Sequence, residues 1–357
     1  MPRFLLIDVG AGTMDVLWYD SDSRQSYKTV LRSPVRTIAE RVRSGSGDLV
    51  VEGGEMGGGP VTAALELRAR QSRVVISPQA ARTLHHDAAR VEAMGLEIVT
   101  TDEARRLAKA GSQTLALADI DPDQIRRIAA AMEVPFDFDA VAVCAQDHGM
   151  PPAGESHLDY RHRMHASVLD QDPSPASLLY SADTVPETFN RLRTIAADAG
   201  RLPTRAVFVM DSGMAAILGA GLDPLAVRNR HLMVLDIATS HTVAATLSDG
   251  QIAAYVEYHT RDVSIHNLDD TLTDLAEGRL EHGTVLAAGG HGAYTRKRIG
   301  FAKLGLIVAT GPRRALVRES RLPIMFGAPF GDNMMTGTTG LLEAVRRRLD
   351  LEPFIYL

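Results

Sequence analysis

The chain has 357 residues, 45% of them hydrophobic and 23% charged, which suits about two domains with substantial cores and argues against long disorder. With 38 basic against 44 acidic residues the net charge is −6, so electrostatic binding to nucleic acid is disfavoured. No apolar run approaches the roughly 18 residues of a spanning helix, and the N-terminus leads straight into a strand pattern. Neither a membrane span nor a secretory signal is read, and the expected location is the cytoplasm.

The opening stretch is the most informative. An apolar run, Phe4 to Ile7, ends in Asp8, passes through Val9-Gly10-Ala11-Gly12-Thr13 and resumes as Val16 to Tyr19. Two such runs about a glycine turn predict a β-hairpin. A dinucleotide-binding loop would instead open into a helix and carry a third glycine. Backbone N–H groups in a glycine turn can converge on phosphate oxygens, and Asp8 sits where a bridging metal ion would need an anionic anchor. An ordinary tight hairpin turn is the alternative.

Ser26 to Leu31 adds a third strand, and Pro34 opens a helix to about Arg43. Leu49 to Val51 is a short strand. The glycine-dense run 53–60 reads as a flexible connection into a helix at Val61 to Arg68 rather than as a ligand wrap. Strands at Val74 to Ile76, Leu96 to Val99 and Leu115 to Leu117 alternate with helices at about 78–94, 102–110 and 122–133, an α/β layer with a partly parallel sheet. Ala140 to Cys144 is a buried strand in which Cys144 serves as a small hydrophobe. It ends in Gln146-Asp147-His148-Gly149, at the carboxyl end of a strand where ligands gather. Asp147 or His148 could orient a nucleophile there, or the four residues could form a polar turn.

Residues 150–182, with four prolines, read as an irregular, solvated or substrate-facing excursion. His157, His162 and His165 fall in it with a spacing that matches no zinc pattern. Thr184-Val-Pro-Glu187 reads as a capping box for a helix ending near Ala199, with Gly200 as its stop. Ala206 to Met210 is a strand, and Asp211 caps a small-residue helix, Ser212 to Ala220, whose alanines and glycines allow close backbone approach. A domain boundary is placed near 227–231.

The second half repeats the first. Leu232 to Leu235 ends in Asp236, a turn of Ile237-Ala238-Thr239-Ser240-His241 follows, and a strand resumes through Leu247. A third strand covers Gln251 to His259, and 269–276 is helical. Val285 to Ala288 reads as a strand entering Gly289-Gly290-His291-Gly292. Leu306 to Thr310 with Gly311-Pro312 has the same shape, and pattern alone does not say which turn faces a nucleotide base. Two strand–Asp–turn–strand units point to an internal repeat. The last helix, 339–349, returns to the first domain.

At these residues the chain resembles the actin-like ATPase superfamily of sugar and acetate kinases, heat-shock chaperones and actin. Asp8-Val-Gly10-Ala-Gly12-Thr13 is similar to its first phosphate loop, and Asp236-Ile-Ala-Thr239-Ser240-His241-Thr242 to its second. Ala288-Gly289-Gly290 resembles the adenosine-contacting turn, and the helices at 212–220 and 339–349 resemble the interdomain connecting pair. Gln146-Asp-His-Gly149, Gly289-Gly-His-Gly292 and Phe330-Gly-Asp-Asn-Met334 are similar to a branch labelled pyruvate formate-lyase-activating-like. That label implies iron–sulfur radical chemistry, which normally needs several thiolates, whereas Cys144 is the one cysteine.

The resemblance implies an α/β fold of two RNase H-like lobes with mixed sheets flanked by helices. The N-terminal lobe spans 1–228 with an irregular 146–182 insertion, and the C-terminal lobe spans 229–357. It implies ATP and Mg²⁺ in the interdomain cleft, with Asp8 and Asp236 anchoring the metal. Gly10, Gly12, Thr13, Thr239, Ser240, His241 and Thr242 would hold phosphates, Gly289, Gly290 and Gly292 the base, and Asp147 or His148 the nucleophile. The implied function is phosphoryl transfer to water or a small metabolite. Two alternatives stand beside it, an ATP-driven reactivase or assembly factor acting on a partner protein, and a cleft that has lost nucleotide. Ala238 and Ser240 replace common glycines of the second loop, and His241 stands where a small residue is usual.

Overall fold

The structure, a computed structural model, describes residues 2–152 and 154–356. β1 (Arg3–Val9), β2 (Thr13–Asp20) and β3 (Gln25–Arg32) form an antiparallel meander. The chain then leaves to build β4 (Leu49–Gly53), β5 (Val74–Ile76), β6 (Glu97–Ile98) and β7 (Gln113–Leu117). It returns with β8 (Phe138–Ala145) parallel to β1, and adds β9 (Leu179–Ser181) and β10 (Thr204–Asp211). The first sheet runs β3-β2-β1-β8-β10-β9.

The second half supplies β11 (His231–Ile237), β12 (His241–Ser248), β13 (Gln251–His259), β14 (Gly292–Thr295), β15 (Leu306–Thr310) and β16 (Ile324–Phe326). Their order is β14-β13-β12-β11-β15-β16. The run β13-β12-β11-β15-β16 repeats β3-β2-β1-β8-β10 in order and in direction: two antiparallel pairings, then two parallel ones. These are two lobes of RNase H-like topology with mixed sheets, as the resemblance implies.

The central strand shows why the sequence folds this way. β8 is apolar throughout because both of its faces are covered. Val141, Val143 and Ala145 pack into one core, and Ala140, Ala142 and Cys144 into the other. The second set is small because two helices press on that face. Ser212–Ala220 and Thr336–Arg348 cross so closely that a methyl group on Gly219 would lie 1.9 Å from Thr336 O, and one on Gly340 would lie 1.9 Å from Ala215 O. Only glycine allows that approach.

The strands of 49–117, expected as an α/β layer with a partly parallel sheet, form an all-parallel sheet of their own, β6-β5-β4-β7, with its own core. Three expectations need correction. The stretch read as irregular contains the helix His157–Gln171, whose inward face includes Arg161 and His165 and so hides the apolar period. The helix expected from Thr184 begins at Asn190. Thr184 Oγ1 donates instead to Ser181 O (3.1 Å), and Asp147 Oδ2 accepts the Leu192 N–H (3.0 Å) of the new helix start. Val285 to Ala288 is no strand but part of the helix His282–Ala287, since a short apolar run does not separate the two states.

Candidate functional site

The two acid-tipped turns are built alike and face each other. Gly10 N donates to Thr13 O and Ala238 N to His241 O, each at 3.0 Å. Ser33, just past β3, donates its N–H to Gly12 O (3.2 Å) and its hydroxyl to Gly10 O (2.7 Å). Thr260, just past β13, donates its N–H to Ser240 O and its hydroxyl to Ala238 O, both at 2.8 Å. Ser33 and Thr260 are therefore equivalent braces, each tying the third strand of its lobe to the turn. A methyl group on Gly12 would lie 2.6 Å from Thr239 Oγ1, which puts the turns in near contact.

Between the lobes lies a cleft of about 610 Å³, within the usual size of small-ligand sites. Asp8, Gly10, Gly12 and Thr13 line it from the first lobe, and Asp236, Thr239, Ser240 and His241 from the second. Asp147 and His148 are on its wall as well. The helix Thr336–Arg348 closes the floor, where a methyl on Gly337 would lie 2.1 Å from Asp8 Oδ2. Residues 55–60 and 82–86 of the inserted sheet unit line the cleft too. The glycine-dense run is thus a wall segment rather than a loose connection. Thr83 Oγ1 accepts the Met56 N–H (3.0 Å), and Gly58 has no room for a side chain beside Thr83 O.

Burial pushes Asp8 up to about 7, with the Cys144 thiol opposing and Asp236 adding to the rise. Burial and Asp8 push Asp15 to about 8, and burial pushes Asp236 to about 6 against a hydrogen bond from Thr310 Oγ1 (2.9 Å). Asp15 Oδ1 is buried without a hydrogen-bond partner among the described residues. Arg191, also on the wall, is committed elsewhere: it clasps Asp119 (2.7 and 3.0 Å) and donates to Gln146 O (2.7 Å).

Other expected positions fall differently. Asp147 Oδ1 accepts from Gly149 N (2.8 Å) and Oδ2 from Leu192 N, so its carboxylate holds the turn and the following helix. Thr242 is buried, with its hydroxyl 3.0 Å from that of Thr260. Gly289, Gly290 and Gly292 do not reach the cleft wall. Gly290 packs on Tyr258 and Val285, and Gly292 on the His282 ring. The Gly311-Pro312 turn after β15 lines the cleft instead, with Asn333 Nδ2 donating to Gly311 O (3.1 Å).

A family model described as "Putative pyruvate format-lyase activating enzyme (DUF1786)" matches residues 56–316. The chain belongs to this family. A search of curated proteins finds no match. Among solved structures the chain is similar to AlfA from the B. subtilis plasmid pLS32 (10% identity, 96% of this chain and 98% of that one, TM-score 0.39). It is also similar to the activator of the 2-hydroxyisocaproyl-CoA dehydratase from Clostridium difficile (9%, 99% of each chain, TM-score 0.34). The Lmo2764 protein of Listeria monocytogenes matches at 12% identity over 70% of this chain, with TM-score 0.27, and this chain spans 48% of its length. Such superpositions are loose, and the fold assignment rests on the duplicated strand order. The family match contains the second turn but not the first, nor the C-terminal helix.

Sequence reasoning missed one polar network inside the family-matched region. Arg161 donates to Glu257 Oε2 and to Asp211 Oδ2, each at 2.7 Å, joining the helix His157–Gln171 to both lobes. Around Glu257 stand His148, His241, His259 and His291, with His291 Nδ1 3.4 Å from Glu257 Oε1. The only local signal was the repeated placement of a histidine beside glycine, at 148 and 291. His157 lines the cleft, His162 stacks on His282 with ring centres 3.7 Å apart, and His165 is buried 4.0 Å from Asp211.

Proposed function

We propose that the cleft binds a nucleoside polyphosphate together with a divalent cation, and promotes transfer of the terminal phosphoryl group to water or to a small molecule. The observation that carries this reading is the pair of equivalent turns, each with an aspartate at the preceding strand end, meeting across one cleft. The donor set fits the group. Three buried carboxylates, Asp8, Asp15 and Asp236, would repel phosphate, and a divalent ion between them and the phosphates reverses that sign. Asp8 and Asp236 would hold the ion, directly or through water, with Asp15 behind Asp8. Backbone N–H groups of the two turns and the hydroxyls of Thr13, Thr239 and Ser240 would receive phosphate oxygens. When bound, the ion supplies charge neutralisation across the phosphates, the main requirement of such transfer.

The chain's own residues do the positioning. Ser33 and Thr260 fix the two turns, and Gly337 keeps the floor low enough for Asp8 to face the cleft. Asp147 orients the His148 turn through the bonds it accepts from Gly149 N and Leu192 N, while burial and Glu55 raise its carboxyl to about 6. Enclosure by residues 55–60 and 82–86 favours a small acceptor over a partner protein. Calorimetry with ATP or ADP and Mg²⁺ tests the proposal. Binding is expected for the wild type and lost in Asp8→Asn and Asp236→Asn. No binding heat for the wild type at millimolar nucleotide overturns it.

A further inference from the structure

The histidines beside the cleft carry an inference independent of the nucleotide reading. We propose that His148, His241 and His291 form a binding site for a late first-row divalent metal, zinc foremost, which joins the two lobes at the cleft wall. One ligand nitrogen from each lies within 4.8 Å of the other two. An imidazole nitrogen ligates zinc at about 2.0–2.1 Å, so tetrahedral ligands sit roughly 3.4 Å apart. Closing the widest pair onto an ion therefore needs inward movement of about an ångström, within reach of side-chain torsions. The ring centres of His241 and His291 are 4.7 Å apart, and His148 stands 5.7 Å from His291.

Three separate parts of the chain converge here. His148 follows β8 of the first lobe, His241 opens β12 and His291 precedes β14. His148 and His241 line the cleft, whereas His291 lies behind it and is only 7% exposed. An ion held by them would keep its remaining coordination position toward the cleft, the open arrangement of catalytic rather than structural zinc. One donor awaits a partner. His241 Nε2 is buried without a hydrogen bond among the described residues, a costly state for a polar atom.

The surroundings match what a metal-bound histidine needs. His291 Nδ1 faces Glu257 Oε1 at 3.4 Å, leaving Nε2 to ligate, the carboxylate–histidine–metal order that fixes a ligand ring. Glu257 is itself held by Arg161 and by the Gln146 amide. His259 Nε2 hydrogen-bonds His291 Nε2 at 3.1 Å, a contact that an ion on His291 Nε2 would replace. An all-imidazole set selects zinc, copper, nickel or iron over magnesium. The site is therefore chemically distinct from the oxygen donors at Asp8 and Asp236.

The test uses the full chain, stripped of metal by chelator and dialysis, then titrated with Zn²⁺ in excess Mg²⁺ without nucleotide. One equivalent per chain is expected by elemental analysis. Co²⁺ in its place should give the intense visible bands of a four- or five-coordinate nitrogen site. His241→Ala and His291→Ala should each weaken Zn²⁺ at least 100-fold. Glu257→Gln, a positioning change, should weaken it about 10- to 100-fold. His162→Ala and Asp8→Asn should leave it unchanged, the latter separating this site from the nucleotide reading. X-ray absorption on the zinc-loaded wild type guards against variants that fail to fold, and at least three imidazole ligands are expected. Substoichiometric zinc, an oxygen-only shell, or folded histidine variants that bind like the wild type would each overturn the proposal.

Discussion

Replacing Arg161 by leucine should be one of the most damaging single changes in this chain. The guanidinium is 5% exposed and bonds at 2.7 Å to both Glu257 and Asp211, themselves 5% and 3% exposed. Removing one partner of a buried ion pair costs about 3–5 kcal/mol, because the other charge stays desolvated. Here two carboxylates lose one cation. The bonds that remain, from the Gln146 amide to Glu257 and from Met214 N to Asp211 (3.1 Å), satisfy them in part. We expect a loss of about 5 kcal/mol at neutral pH.

The pH dependence gives a second signature. Burial alone would raise Glu257, but Arg161 overrides it and holds the carboxyl well below its ordinary range. A carboxyl lowered by folding contributes stability that is present above its unfolded value and lost as pH falls through the folded one. In the leucine variant that contribution is gone and burial prevails, so Glu257 takes up a proton more readily. The deficit against wild type should therefore shrink as pH drops from 8 toward 5. Urea unfolding followed by Trp18, the single tryptophan and buried in β2, reads both effects. Adding Asp211→Asn and Glu257→Gln to the variant should recover most of the loss. A deficit under about 1 kcal/mol, or one that is flat with pH, would refute the argument.

Two further expectations follow from the cleft floor. Gly340→Ala places its methyl 1.9 Å from the backbone oxygen of Ala215, and a loss of about 1–3 kcal/mol or more is expected by denaturation. Gly283→Ala, in a short helix with open space, should be neutral or slightly stabilising, and equal effects at both positions would contradict the packing account. Asp8, Asp15 and Asp236 are raised to about 7, 8 and 6, above their unfolded values. Stability from such groups is full below the unfolded value and lost as pH climbs through the folded one. With chelator present the melting temperature should thus fall between pH 6 and pH 8. Millimolar Mg²⁺ should restore it, and a flat profile in chelator would count against uncompensated carboxylates in the cleft.

Much of the architecture could be read in advance because it rests on local chemistry. The hairpins at Asp8 and Asp236, the strand Ala140 to Cys144 and the Asp211-capped helix each declare themselves through period, caps or glycine. The inserted sheet was legible as elements but not as a separate body, since strand pairing is a long-range choice that β4 makes only in space. Helix His157–Gln171 was hidden because its buried face carries an arginine and a histidine whose partners, Asp211 and Glu257, lie far along the chain. The turn 289–292 misled because glycines that let a strand pack on the Tyr258 and His282 rings look the same as glycines that admit a ligand. His148, His241 and His291 each stood out singly, but their grouping did not, for a related reason. Its members come from three elements, so no spacing rule joins them.

The glycine contact between the two helices beneath the cleft has a mechanical consequence. Two backbones touching at Gly219 and Gly340 can neither press closer nor slide without collision, but they can turn about the point where they meet. Any swing of one lobe against the other is then a swivel on that spot. Asp8, against Gly337 one turn along the same helix, would barely shift, while parts of each lobe farther from the contact would move more. Admission and release of a ligand could proceed at the mouth while the acidic floor stays in register.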